Sequence, residues 1–117
     1  MVSKDKKVVV FGGSGFIGSH VVDRLIEIGY SVTVFDLVKG KHLNSKASFF
    51  EGNIMNKEQI SSVLSGVDIV YNFAGLMSIE ECSLDAHRAM SINVIGNINI
   101  LQSVVENKIN KYNSSTQ

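Results

Sequence analysis

The sequence predicts an α/β fold with a parallel sheet, and three patterns carry that prediction. Short apolar runs alternate with longer stretches of helical periodicity, glycines stand at most of the junctions, and the first run is apolar at consecutive positions. A strand that is apolar at every position must be covered on both faces, as happens when helical crossovers pack on either side of a parallel sheet.

Taken in order, Val8, Val9, Val10 and Phe11 form the first strand, which ends at Gly12-Gly13. Ile17, Val21, Leu25 and Ile28 then recur at helical spacing over 15–28, and Gly29 supplies the stop. A β-branched second strand covers 31–35 and ends at Asp36, ahead of the polar loop Lys39-Gly40-Lys41-His42. A short third strand is expected at 47–50, and a helix near 57–64 starts after Asn56 and is closed by Gly66. The fourth strand spans 67–73. A long helix follows over about 84–106, with Met90, Val94, Ile98, Leu101 and Val105 along one side. The tail from Lys108 onward is polar and reads as a poor buried strand, which would leave the fourth strand as an apolar sheet edge.

At 117 residues the chain has room for one modest core, and at that size roughly 60% or slightly more of the unfolded surface can be buried. Eleven basic residues balance eleven acidic ones, so no strong field points to nucleic acid or an anionic membrane. The lone Cys82 can form no internal disulfide and reads as a packing group, in keeping with a reducing cytoplasm. Neither a signal peptide nor a membrane span is expected, because the apolar run behind the charged N-terminus is short and breaks at glycine. No metal site is assigned.

The chemistry sits in Gly12-Gly13-Ser14-Gly15-Phe16-Ile17-Gly18. Glycines at this spacing are weak evidence alone, but between a strand and a helix they permit a tight turn, close approach to a pyrophosphate, and close helix packing. The unpaired amides of Phe16 and Ile17 and the positive end of the helix favour a phosphate with no lysine in the motif. The plainer reading is a tight turn alone. About 20 residues on, Asp36 ends the second strand, where a carboxylate can accept bonds from both ribose hydroxyls and repel the extra phosphate of NADP. Otherwise it is an exposed loop acid.

Together these residues resemble the opening of the NAD-dependent epimerase/dehydratase family, the extended short-chain dehydrogenase/reductases that act on nucleotide sugars. The resemblance covers nearly the whole chain. It implies a Rossmann-like three-layer αβα domain over 1–117, truncated after the fourth or fifth strand and without the substrate domain. It also implies NAD contacts at Gly12, Gly15, Phe16, Ile17, Gly18 and Asp36. Gly52-Asn53-Ile54 is similar to the family's adenine-contacting Gly-Asp-(Ile/Leu) element, with Asn53 for the acid. Phe73-Ala74-Gly75 resembles the cofactor-lining end of the fourth strand, where glycine replaces the more usual second alanine. Asn93 and Asn97 fall in a segment resembling Asn-Val-x-Gly-Thr, with a structural role expected for Asn93.

In that family a later Ser/Thr segment sets one hydroxyl against the substrate, and a Tyr-x-x-x-Lys pair moves the proton while hydride moves to the nicotinamide. Ser114-Ser115-Thr116 resembles the first, which makes Ser115 the expected hydroxyl and Thr116 its neighbour; the alternative is a polar terminus without a role. The second is missing, because Tyr30, Tyr71 and Tyr112 are followed four positions later by Val34, Gly75 and Thr116. The expectation is therefore a cytoplasmic NAD-binding portion that is not catalytic alone and meets a nucleotide sugar only if the missing half is supplied. Homo-oligomerisation is expected from the open edge, and from the long helix, which in related enzymes contributes to a dimer bundle. The alternatives are a non-enzymatic NAD-binding module completed by another chain, and a dimeric relic that binds nothing.

Overall fold

A computed structural model describes residues 6–75 and 85–114. The order is β1 (Lys7–Phe11), α1 (Phe16–Ile28), β2 (Ser31–Asp36), β3 (Ser48–Glu51), α2 (Lys57–Val63), β4 (Ile69–Asn72), α3 (Ala86–Glu106) and β5 (Lys111–Ser114). The strands form one sheet in the order β3-β2-β1-β4-β5, with every pairing parallel.

Alternation along β1 sorts the core into two halves. Val8 and Val10 point to one face, where they pack with Val32, Val34 and Ile69 against Val22 and Leu25 of α1. Val9 and Phe11 point to the other, where Phe35 and Val70 join Ile60 of α2 and Ile100 and Val104 of α3. Successive strand residues face opposite ways, so a strand serving two helical layers has to be apolar throughout. Each such side chain, once buried, contributes about 1.5–3 kcal/mol relative to exposure.

The tail differs from its sequence reading. Residues 111–114 form β5, which pairs Ile69 with Lys111, Val70 with Tyr112, Tyr71 with Asn113 and Asn72 with Ser114. β4 is therefore interior and not an edge. The polar composition is physically reasonable, because an outermost strand can leave one side to solvent: Lys111 and Asn113 are exposed, while Tyr112 packs on the Phe11 cluster together with Ile109. The Tyr112 hydroxyl also accepts from Asn72 Nδ2 at 3.0 Å.

The long helix turns its small and polar side inward. Ala89, Gly96, Asn99, Ile100, Ser103 and Val104 are buried, whereas Met90, Val94, Ile98, Leu101 and Val105 are 45–74% exposed. The periodic apolar side anticipated from sequence thus faces away from the sheet. Among the described residues, no helix is long and apolar enough to cross a membrane.

After Asn107 caps α3, Lys108 takes a left-handed conformation with φ 55°, the only non-glycine with positive φ among the described residues. Its amide donates to Val105 O, and Ile109 N donates to Val104 O, so the turn that launches β5 is fixed by the helix end. Glycine occupies this position without the Cβ penalty. Lys108→Gly is expected to raise stability by about 0.5–1 kcal/mol, read as a higher midpoint in thermal or urea unfolding.

Candidate functional site: the cleft at the switch point of the sheet

Strand order reverses between β1 and β4, and crossovers leaving such a point in opposite directions open a crevice at the carboxyl ends of the strands. A cavity of about 840 Å³ lies there, within the roughly 300–1,000 Å³ usual for small-molecule sites. Every residue expected to contact the cofactor lines it. Gly12, Gly15, Phe16, Ile17 and Gly18 come from the β1-α1 turn, Asp36 from the end of β2, Asn53 and Ile54 from the end of β3, and Phe73, Ala74 and Gly75 from the end of β4. Ser115, Thr116 and Cys82 lie outside the described residues.

The turn is built by backbone packing. A Cβ on Gly12 would meet Phe73 and Ala74 backbone atoms at 2.8 Å, and one on Gly18 would run into the Gly12 carbonyl. Gly12 also has φ 75°. These glycines are therefore required by closeness as well as by turn geometry, and the space they leave opens on the cavity.

The helix that starts there is the odd one of the described three. Asn56 caps α2 by accepting from Gln59 N, and Asp85 caps α3 by accepting from Arg88 N. At α1 the cap residue is Gly15, no side chain accepts a bond, and no acid stands in the first turn. The amides of Phe16 and Ile17 and the positive helix end thus remain available to an anion.

Asp36 is fixed rather than loose. Its Oδ2 accepts from Ser14 N at 3.1 Å and its Oδ1 from Leu37 N at 2.8 Å. Ser14 Oγ in turn accepts from Gly40 N, so the loop after β2 is pinned to the glycine turn and holds the carboxylate at the cavity wall. Asn53 behaves similarly: its Oδ1 accepts from Met55 N at 2.9 Å while its backbone N–H donates to Gln59 Oε1. The bond from Met55 orders the turn after β3 and engages the Asn53 side-chain oxygen, in the element expected to contact an adenine.

At the far end, Gly75 has φ 86°, and a Cβ there would strike the Asn93 side-chain amide. Asn93 Nδ2 donates to Gly75 O, Asn97 Nδ2 donates to Asn93 Oδ1, and Asn72 Nδ2 donates to Asn97 Oδ1 at 2.6 Å. Asn72 Oδ1 accepts from Ala74 N. A ladder of amides thus ties the end of β4 to α3. Gly75 admits the Asn93 side chain at this turn, and Asn97 in the threonine position is a rung of the ladder.

Phe35, Leu37, Met55, Arg88, Ala89 and Ile92 also line the cavity, and Asn93 borders it. Leu37 and Met55 directly follow expected residues at strand ends, so position alone could have found them. Arg88 and Ile92 could not be found that way, because the rotation of α3 is hidden when its most periodic apolar side faces solvent. Among the described residues, no cluster of His, Cys, Asp or Glu could hold a metal.

Comparison with known proteins gives the cleft its context. The profile of the NAD dependent epimerase/dehydratase family matches residues 8–117. Sterol-4-alpha-carboxylate 3-dehydrogenase, decarboxylating, of Mus musculus is 36% identical over 94% of this chain and 29% of its own length. The solved UDP-glucose 4-epimerase of Thermotoga maritima with UDP-glucose superposes with a TM-score of 0.84 at 34% identity, covering 92% of this chain and 37% of that one. The UDP-glucose 4-epimerase of Thermus thermophilus in complex with NAD gives 0.79 at 28% identity, covering 91% and 36%. The chain thus spans about a third of the length of these relatives, from 29% to 37%. Over nearly all of its own length it belongs to the NAD dependent epimerase/dehydratase family.

Proposed function

We propose that this chain is the NAD-holding portion of a nucleotide-sugar epimerase or dehydratase and needs residues beyond its 117 to catalyse. The observation that carries the cofactor reading is the uncapped α1 opening on the same cavity as the pinned Asp36. The glycine turn would hold the pyrophosphate through the amides of Phe16 and Ile17. Asp36 would accept bonds from the adenosine ribose, and its charge favours NAD over NADP. The adenine would lie between Leu37 and the segment from Asn53 to Met55. NAD, when bound, would supply hydride chemistry, and Phe73, Ala74 and Gly75, which line the cavity after β4, would hold its nicotinamide half.

The catalytic portion of the proposal is narrower. Ser115, with Thr116 beside it, would supply a hydroxyl toward the substrate, as the Ser/Thr segment does in the resembled family; both lie outside the described residues. No tyrosine in the chain is followed four residues later by lysine, so the proton-transferring pair would come from elsewhere. A nucleotide sugar would then bind only in the completed protein. A non-enzymatic NAD-binding module completed by another chain is the second reading, favoured by that same missing pair.

Calorimetric titration with NAD at fixed salt tests the cofactor claim. Saturable binding is expected, with Asp36→Ala weakening it about tenfold or more through lost bonds to the ribose and narrowing the preference over NADP. Unchanged affinity in that variant, with the fold intact by circular dichroism, contradicts the role of Asp36. Gly18→Ala is expected to abolish binding and to destabilise the fold by about 1–3 kcal/mol, because backbone has to move to admit the methyl group.

Self-association is the other part of this proposal. β5 covers β4, so that strand offers no open edge for pairing. The exposed side of α3 supports it: Val94, Ile98, Leu101 and Val105 recur at spacings of four, three and four, as in a helix-pairing seam. In a two-fold dimer each substitution acts twice, so Ile98→Glu is expected to weaken association more than about a hundredfold. Sedimentation equilibrium checks this: a dimer is expected for the wild type, and a monomer at high concentration contradicts it.

A further inference from the structure

We infer that Arg88 supplies the positive charge that the glycine turn lacks and binds the diphosphate of the dinucleotide from the opposite wall of the cleft. The inference rests on the cofactor reading above. The β1-α1 turn contains no lysine or arginine, and among the described residues Arg88 is the only cationic side chain lining the cavity, as Asp36 is the only anionic one.

Its position follows from α3. Arg88 stands one turn before Ile92 and beside buried Ala89, which also line the cavity, so this part of the helix presents one face to the cleft. The backbone of Arg88 is held by Asp85, whose carboxylate accepts from its amide at 3.0 Å. The guanidinium itself has no ion-pair or hydrogen-bond partner among the described residues; their one salt bridge joins Arg24 and Glu27. An unpaired guanidinium on the wall of a concave site suits a dianion bidentately, which amides alone cannot neutralise. Opposite charges, Asp36 and Arg88, then give the cleft a direction: ribose hydroxyls toward the first, phosphates toward the second.

The test is titration of the full chain with adenosine, ADP-ribose, NAD and UDP, for wild type and Arg88→Gln. Glutamine keeps the helix propensity at an exposed position, so thermal unfolding should be unaltered. The variant is expected to bind ADP-ribose and NAD about tenfold more weakly and adenosine unchanged, with a shallower salt dependence and partial recovery in Arg88→Lys. Equal binding of ADP-ribose by wild type and Arg88→Gln overturns the inference and leaves the cofactor reading standing. Loss of UDP binding with ADP-ribose unaffected also overturns it, assigning the charge to a second ligand. A wild type that binds neither ADP-ribose nor NAD overturns both readings together.

Discussion

At the end of β1 the backbone of one element rests directly on the backbone of the next. Gly18 of α1 sits against the carbonyl of Gly12, and Gly12 sits against the backbone of Phe73 and Ala74, with no side chain between them. Strand, helix and neighbouring strand end therefore meet at their minimum separation. The α1 amides consequently lie at the floor of the cleft rather than behind a layer of side chains. Because Ser14 in the same turn donates to Asp36 and accepts from Gly40, the carboxylate and the loop beyond β2 take their positions from that contact as well.

The opposite wall is held by a different device. Asn72, Asn93 and Asn97 pass hydrogen bonds from α3 to the end of β4, and Tyr112 joins them from β5. Asn72 is almost fully buried, and a buried amide is costly unless its donors and acceptor are engaged, as they are here. Glycine at position 75 and asparagine at 97 depart from the resembled family pattern together. They also fit each other, since the missing Cβ leaves room for Asn93, which Asn97 supports.

Most of the fold was legible because its signals are local. Four apolar strands, the glycine stops and the Asn56 cap are written in adjacent residues, and the cleft residues expected from the resemblance converge on one cavity. What escaped was decided by tertiary position. β5 is polar because an edge strand needs only one covered side, so it lacks the continuous apolar run that marks a buried strand. The apolar side of α3 is its strongest periodic signal yet faces solvent, while small Ala89 and Gly96 are buried, Gly96 against the Ile54 side chain. Arg88 went unnoticed for the same reason: nothing near it in sequence says which way that helix is turned.

In the proposed complex a diphosphate lies against the amides that begin α1. Amide chemical shifts of isotope-labelled protein titrated with NAD test that directly. The largest changes are predicted at Gly15, Phe16 and Ile17, with smaller ones at Ser14 and Leu37, whose amides donate to the Asp36 carboxylate. Shifts confined to other surfaces, or none at saturating NAD in a folded sample, would contradict the claim that this turn holds the cofactor.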